Sequence, residues 1–140
     1  MKAALASLDD IPRLMPIMLD GARKVGEPSY GVPMREGDIR RVLEETIKKG
    51  WVVFGDKSVA GAIAMPFIWN NSFNDVHILF WHFMRMKEIV ILEELLLLLA
   101  GLGYSRAHVT SHFPKNTILK RYQRLGFHAT EVVSTLTLNE

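Results

Sequence analysis

Residues 116–127 read NTILKRYQRLGF, and this stretch predicts a short helix with two defined ends. Asn116 is a favourable N-cap residue, and Gly126 suits the left-handed conformation that commonly follows the last turn of a helix. The apolar or aromatic positions 118, 119, 122 and 125 share one helical face, whereas most of the others are basic or polar. We therefore expect an amphipathic helix that carries Tyr122 on or beside its buried face.

This stretch resembles the C-terminal motif of the GNAT family, the GCN5-related N-acetyltransferases. In that motif an asparagine, a tyrosine and a Gly-Phe pair lead into the last strand. Here Tyr122, Gly126 and Phe127 keep their mutual spacing, and Asn116 stands one residue closer to the tyrosine. The resemblance implies the GNAT fold and transfer of an acetyl group from acetyl-CoA to an amine.

Length and composition narrow the class of protein. The chain has 140 residues, of which 49% are hydrophobic, and this indicates one folded domain over residues 1–140. Lys and Arg number 17 against 15 acidic residues without a basic tract, which gives little support to nucleic-acid binding. The chain has no cysteine, so disulfides, cysteine-bound zinc and a thiol nucleophile are excluded. With no signal-peptide pattern near the first residue, we expect a soluble, cytoplasmic domain.

Residues 89–102 are strongly apolar and require a separate explanation. The run contains Glu93 and Glu94 and is shorter than the roughly 20 residues of a membrane span. It therefore predicts a buried helix and no membrane contact. Apolar residues all round this helix indicate burial on more than one side, or contact with a second copy of the chain in a homodimer.

The hydrophobic pattern predicts an α/β fold with a central mixed sheet, about four flanking helices and the order βααβββαβαβ. The same order, over nearly the whole chain, is that of the GNAT-like acyl-CoA N-acyltransferase fold. The predicted strands are residues 2–7, 51–54, 59–67, 75–83, 105–112 and 130–138. A first helix begins after Asp9 or Asp10, residues 26–33 form an irregular loop, a second helix ends near Lys49, and the leucine-rich helix ends at Gly101 or Gly103.

The resemblance also implies where the cofactor binds. Family members hold the pyrophosphate on backbone amides of a loop of the form Q/R-x-x-G-x-G/A, at the N-terminus of a helix where anions are favoured. In this chain Glu88 and Val90 replace the two small residues, so the loop is degenerate. The implied cofactor residues are Phe83, Arg85, Met86, Lys87, Glu88, Ile89, Val90 and Asn116.

Candidate catalytic residues follow from the same comparison and from acid–base chemistry. The resemblance implies that Tyr122 is the general acid that protonates the departing CoA thiolate. An amine acceptor must lose a proton before it attacks, and Asp75, His77 and His82 on the strand at 75–83 are the available bases. Strict alternation would place His77 on one side of that strand and His82 on the other. Of these residues we select Tyr122, His82 and Asp75 as catalytic.

Two further groups of residues have competing interpretations. Glu27, Tyr30 and Arg35 lie in the loop region that covers the acceptor in the GNAT family, although such residues are also typical of a solvated loop. His108 and His112 share a strand face, but four residues along a strand span roughly 13 Å, too far for one metal ion. We therefore predict no metal site.

An alternative function remains open at this point. Glu88 and Val90 in the loop, together with the leucine-rich helix, are also consistent with a catalytically inactive GNAT-like domain that serves as a binding or assembly module. The sequence does not identify the amine acceptor, which the enzymatic reading allows to be a protein or a small molecule.

Overall fold

The computed structural model describes residues 2–66, 69–70, 72–110, 116–129, 136 and 138–139, with residues 116–119 described as backbone only. The chain divides into two compact units, Met1–Thr110 and Ser111–Glu140. The assignment of residues 1–140 to a single domain stays a prediction.

The first unit contains a five-stranded mixed sheet, which confirms the predicted architecture. The strands are β1 (Ala4–Leu5), β2 (Trp51–Phe54), β3 (Ser58–Pro66), β4 (Asn74–Phe83) and β5 (Arg106–Val109). They lie in sequence order, each antiparallel to the next except for the parallel pair of β4 and β5. A helix separates the two parallel strands, as a crossover of this kind requires.

The helices of the first unit are α1 (Ile11–Gly21), α2 (Glu27–Tyr30), α3 (Glu36–Lys49) and α4 (Ile91–Gly101). A π-helical segment, Ala22–Gly26, connects α1 to α2 without a break. The loop predicted for residues 26–33 is therefore wrong over residues 26–30, which are helical. Pro28 lies in the first turn of α2, where proline is tolerated, and Gly31 ends the helix in a left-handed conformation with a φ of 71°.

Helices cover both faces of the sheet. Helices α1 and α3 pack on one face against Val52, Phe54 and Val59. The alternating residues of β2 and β3 point to the opposite face, where α4 contacts β2, β3 and β4. Helix α4 buries Ile91, Leu92, Leu95 and Leu99. Leu97 is 69% exposed, so within this chain α4 is buried on one side, and the contact with a second copy stays a prediction.

A β-bulge in β4 overturns the predicted alternation of that strand. Gly61 of β3 pairs with Phe80, whereas the next residue, Ala62, pairs with Ile78, so Leu79 is the extra residue. Directly opposed residues in antiparallel strands share a face, and Val59, Gly61, Ile63 and Met65 alternate regularly on β3. Their partners therefore share one face too, and these are His82, Phe80, His77 and Asp75. The prediction that His77 and His82 lie on opposite sides is wrong.

The second unit contains helix α5 (Asn116–Arg124), as predicted from the spacing of its apolar residues. Gly126 has a φ of 98°, and the Phe127 N–H donates to the carbonyl of Tyr122 over 2.9 Å, which closes the end of the helix. Most of the predicted strand at 130–138, and residues 111–112 of the predicted strand at 105–112, lie outside the described residues. No helix in the described part of the chain is long and apolar enough to cross a membrane.

Candidate functional site

Strand β4 extends beyond the end of its neighbour β5. The last parallel pair joins Ile78 to Val109, and β4 continues to Phe83 along β3. The bulge at Leu79 lies just past this last pair, where it rotates the strand. His82 therefore lies on the extended part of β4, whereas Asp75 and His77 lie on the part that pairs with β5.

Asp75 forms a bidentate ion pair with Arg106 of β5. The Arg106 Nε and Nη2 atoms donate to the two carboxylate oxygens over 2.9 and 2.8 Å. His108 Nε2 lies 2.8 Å from Oδ2 of the same carboxylate, which is 5% exposed. The Arg106 guanidinium, and to a smaller degree His108, hold the pKa of Asp75 below its ordinary value. A carboxylate with these partners is a weak proton acceptor.

His77 belongs to the same cluster. Its ring stacks on that of His108, with 5.0 Å between the ring centroids. Among the described residues, no group of three or more His, Asp or Glu side chains is arranged to hold a metal ion. His112, the other histidine considered from the sequence, lies outside the described residues.

His82 pairs with a carboxylate that the sequence analysis did not select. Its Nε2 atom lies 2.7 Å from Oδ2 of Asp20 on α1, and both side chains are 17% exposed. Lys24 Nζ contacts the other oxygen of Asp20 over 2.9 Å. The hydrogen bond from His82, and next the one from Lys24, lower the pKa of Asp20. The two partners are 62 positions apart in the chain, so no local pattern indicates their contact.

Gly21 allows α1 to approach His82 closely. A Cβ atom at this position would lie 2.9 Å from Cγ of His82, closer than real Cβ contacts come. The backbone of α1 therefore packs directly on the imidazole, and Asp20 on the preceding position reaches its Nε2 atom. The contact between Asp20 and His82 therefore depends on glycine at position 21, because a side chain there would collide with the imidazole.

The segment that follows β4 contains the candidate pyrophosphate loop. It forms a 3-10 turn over Met86–Glu88 before α4 begins at Ile91. Glu88 is 2% exposed, and its carboxylate accepts hydrogen bonds from the Lys57 N–H at 3.0 Å and from the Ser58 hydroxyl at 2.7 Å. The side chain therefore points into the protein toward the β2–β3 turn. The acid that replaces a small residue of the GNAT pattern is therefore bonded within the fold.

Cationic side chains lie around the outer surface of the loop. Lys2, Arg85 and Lys87, together with Asp56 and Glu88, line a cavity of about 440 Å³. Arg85 Nη1 contacts Asp56 Oδ2 over 2.6 Å, and both side chains are substantially exposed. Since Glu88 is buried, the solvent-accessible charge here is mainly positive, which favours an anionic ligand.

The other predicted cofactor residues are Phe83, Met86, Ile89, Val90 and Asn116, and most of them are apolar. Phe83 ends β4 and stacks on Trp81, with 6.1 Å between the ring centroids. Met86 is 73% exposed, and Ile89 and Val90 are partly buried before α4. Asn116 begins α5 in the second unit, and its side chain is outside the description.

Tyr122, the predicted general acid, lies in α5 of the second unit. It is buried, and its ring contacts that of Phe127 with 5.6 Å between the centroids. Gly126 allows the reversal of the chain that brings Phe127 back onto the helix. The contact explains why the motif pairs a tyrosine with Gly-Phe, and the catalytic role of Tyr122 stays a prediction.

The predicted acceptor residues occupy the segment between α1 and α3. Glu27 accepts a hydrogen bond from the Met34 N–H at 2.9 Å and contacts Arg23 over 3.1 Å. The Met34 hydrogen bond is the main cause that lowers the pKa of Glu27. Tyr30 is 60% exposed, and Arg35 is the exposed N-cap residue of α3. Glu27 therefore organises this segment, and the other two residues face solvent.

Comparison with known proteins places this fold among acetyltransferases. A probable acetyltransferase is 14% identical in sequence with a TM-score of 0.75, over 100% of this chain and 98% of that chain. A ribosomal-protein-alanine N-acetyltransferase from Brucella melitensis biovar Abortus 2308 is 11% identical with a TM-score of 0.70, over 99% and 100% of the two chains. An aminoglycoside acetyltransferase from an uncultured soil metagenomic sample is 12% identical with a TM-score of 0.67, over 99% and 98%.

Sequence comparison gives no matching family model and no matching curated protein. The similarity thus lies in the three-dimensional structure, over nearly the full length of each chain. The chain has the mixed α/β fold of the GNAT acetyltransferases.

Proposed function

We propose that this protein is an acetyl-CoA-dependent N-acetyltransferase that transfers the acetyl group directly to an amine. The observation that carries the proposal is the likeness of the whole chain to solved acetyltransferases, with TM-scores of 0.67 to 0.75. The arrangement around β4 agrees with this chemistry, because a histidine with a carboxylate partner lies on the same strand that leads into a cation-lined loop.

The loop between β4 and α4 is the proposed site of the CoA pyrophosphate. The positive end of the α4 helix dipole favours an anion there. Arg85, Lys87 and Lys2 add positive charge beside the loop. Glu88 also lines this cavity, but its carboxylate is 2% exposed and accepts hydrogen bonds from the Lys57 N–H and the Ser58 hydroxyl, which reduces its repulsion of a phosphate.

His82 is the proposed proton acceptor. An ammonium acceptor such as a lysine side chain has a pKa of about 10.4, so its deprotonation at pH 7 costs roughly 4–5 kcal/mol. His82 takes this proton, directly or through a water molecule, and the free amine attacks the thioester carbonyl carbon. Compared with Asp75, whose pKa is lowered by its pair with Arg106, His82 is the better candidate base.

The remaining steps release CoA. The amine nitrogen forms a new C–N bond to the carbonyl carbon, and the nitrogen of this adduct loses its second proton to solvent. The C–S bond then breaks, and the departing thiolate takes a proton from the hydroxyl of Tyr122. The phenolate regains a proton from solvent, and the proton held by His82 is released to solvent. The acetyl group thus passes from sulfur to nitrogen, and no metal or redox step is required.

The acceptor is proposed to be an amine that is bound near the segment between α1 and α3. The similar proteins described above include enzymes named for a ribosomal protein and for aminoglycosides, and both acceptor types are amines. Tyr30 and Arg35 are exposed on this segment, and Glu27 holds it in place through Met34. We propose that these three residues determine which amine is accepted.

A transfer assay tests the proposed activity. The purified protein is incubated with acetyl-CoA and a panel of amines, including peptides with free N-termini, lysine, polyamines and aminoglycosides, and the released thiol is measured. We expect turnover with at least one class and a large loss in His82→Gln. His128→Gln is the matched control because the His128 side chain is exposed to solvent. If repeated preparations of folded protein release no thiol with any amine of the panel, the proposal is contradicted.

The alternative function, an inactive binding or assembly module, is favoured by one observation. Leu97 in α4 and Leu102 directly after it are 69% and 52% exposed. Exposed apolar side chains occur at interfaces between copies of a chain. Light scattering after size-exclusion chromatography, combined with acetyl-CoA binding and thiol release, distinguishes the inactive module from the enzyme. A homodimer that neither binds acetyl-CoA nor releases thiol supports the module, whereas acetyl-CoA binding at either oligomeric state supports the enzyme.

A further inference from the structure

The pair of His82 and Asp20 has an arrangement that controls which ring nitrogen takes up a proton. Asp20 accepts at Oδ2 from His82 Nε2 over 2.7 Å and at Oδ1 from Lys24 over 2.9 Å. Hydrogen bonds from His82 and Lys24 lower the pKa of Asp20, so its carboxylate is ionised at neutral pH. An ionised carboxylate only accepts hydrogen bonds, so the hydrogen between the two groups belongs to Nε2.

This assignment fixes the chemistry of the other nitrogen. In a neutral imidazole one nitrogen carries a hydrogen and the other a lone pair. With the hydrogen on Nε2, the lone pair is on Nδ1, which becomes the proton-accepting atom. When Nδ1 takes up a proton, the Nε2–H remains in place and the contact with the Asp20 carboxylate is kept.

Among the described residues, the charged side chain that contacts His82 is that of Asp20. Its partner across β3 is the apolar Val59, and its neighbour Phe83 lies with its ring centroid 6.3 Å away. From α1 it meets Gly21, whose missing side chain allows the close approach, and Asp20 with its attached Lys24. The orientation of the ring therefore depends on one carboxylate and on close packing against the α1 backbone.

We propose that Asp20 is the positioning residue for His82, holding the Nε2–H tautomer and directing proton uptake to Nδ1. The use of this pair in acetyl transfer rests on the proposed function. Asp20 lies outside both the motif at residues 116–127 and the loop at residues 85–90. Its contact with His82 arises from the packing of α1 on β4. The proposal thus adds a residue of α1 to the chemistry assigned to β4.

Nuclear magnetic resonance tests the pair without requiring activity. In protein labelled with 15N-histidine, the wild type should show a downfield, slowly exchanging proton on Nε2 of His82, because charge-assisted hydrogen bonds hold their protons firmly. Asp20→Ala should lose this resonance, Asp20→Glu should recover it in part, and Lys24→Met should retain it. Its absence from the wild type, or its persistence in Asp20→Ala, would overturn the proposal.

Kinetics test the use of the pair. Asp20→Ala should lower kcat by about 10- to 100-fold, with little change in the KM for acetyl-CoA. This is less than the roughly 100- to 10,000-fold contribution of a general base, because His82 itself is retained. Glu45→Gln is the matched control, since Glu45 forms an i,i+4 ion pair with Lys49 on α3 over 2.7 Å, and Asp20 and Lys24 have the same spacing. This control should keep wild-type kcat. Asp20→Glu should recover part of the lost rate.

The NMR and kinetic experiments distinguish failure of the positioning role from failure of the proposed function. If the wild type transfers acetyl groups and folded Asp20→Ala does so equally fast, the positioning role is wrong and the proposed function stands. If the wild type transfers nothing to any amine, the proposed function fails, while the Nε2 proton and its loss in Asp20→Ala still establish the pair. Circular dichroism on each variant ensures that a lost signal reports the contact and not an unfolded chain.

Discussion

The carboxylate of Glu88 lies 2.7 Å from the hydroxyl of Ser58, and this bond joins the loop after β4 to the turn between β2 and β3. The same carboxylate accepts from the Lys57 N–H at 3.0 Å. Where the GNAT pattern has a small residue, this chain has a buried acid that fixes the loop from inside. A side chain that looks unfavourable for phosphate binding in the sequence therefore has a structural role in the fold.

Glu88→Ala should destabilise the protein. The substitution removes an acceptor of the buried Ser58 hydroxyl and of the part-buried Lys57 N–H, and a buried donor left unsatisfied costs about 1–3 kcal/mol. We expect a loss of about 2–4 kcal/mol in the free energy of unfolding, measured by urea denaturation. Glu36→Ala is the control, since Glu36 occupies the first turn of α3 and is exposed. Equal stability of the two variants would show that Glu88 does not hold the loop.

Gly21→Ala should disturb the contact between α1 and β4. The added Cβ would lie 2.9 Å from Cγ of His82, so either the ring or the helix has to move. We expect a loss of about 1–3 kcal/mol in the free energy of unfolding. Gly37→Ala on α3, where no atom lies within 4 Å of the added Cβ, should instead be neutral or stabilise by up to about 1 kcal/mol. If both variants stabilised the protein, the close packing on His82 would be wrong.

The ion pair of Asp75 and Arg106 should make stability depend on pH at the acidic end. The pKa of Asp75 is lowered from an ordinary value of 3.8, so folding is favoured above that value and the contribution is lost as the pH falls through the folded-state pKa. In Asp75→Asn the free energy of unfolding should be lower by about 1–2 kcal/mol at pH 7, because Arg106 is 40% exposed and screened by solvent. The difference from the wild type should shrink below about pH 4.

Asp38→Asn provides the comparison for that titration. Asp38 pairs with Arg41 over 3.3 Å on α3, and both side chains are more than half exposed. Such surface pairs contribute about 0–1 kcal/mol, so this variant should follow the wild-type curve of stability against pH. A parallel offset of Asp75→Asn at every pH would mean that the carboxylate contributes packing and no charge interaction.

Tyr122→Phe should slow acetyl transfer by about tenfold or more if the phenol is the general acid. The affinity for acetyl-CoA should change little, and the contact with the Phe127 ring is kept because the aromatic ring remains. Tyr104→Phe is the control, since Tyr104 packs edge-on against Trp51 in the first unit with 5.1 Å between the centroids. Unchanged turnover in Tyr122→Phe would assign the tyrosine to packing alone.

Much of the fold could be predicted because it depends on local patterns. The spacing in residues 116–127 defines α5, and Gly126 has the left-handed conformation expected of it. The order of the described strands and helices follows from the change between helical and strand periods. The helical stretch at Glu27–Tyr30 was missed, because Gly26 and Pro28 indicate a loop locally while the preceding π-helical segment continues the hydrogen bonding.

The candidate site was less predictable because it depends on long-range packing. Nothing in the apolar run of β4 indicates that Leu79 is an extra residue, and this bulge decides that His77 and His82 share a face. The sequence does not distinguish Asp20 from the other acidic residues of the helices, because its contact with His82 forms only when α1 packs on β4. The direction of Glu88 likewise depends on Ser58, which is 30 positions earlier in the chain.

Calorimetric titration with acetyl-CoA is the most direct measurement, because the proposed activity requires the loop before α4 to bind the CoA diphosphate. We expect saturable binding that weakens as salt is added and in a variant that combines Arg85→Gln with Lys87→Gln, since both cations line the cavity beside the loop. Lys48→Gln on α3 should bind as the wild type does. A folded wild type that gives no binding heat with millimolar acetyl-CoA, and shows no protection from thermal unfolding by it, would contradict the proposed function.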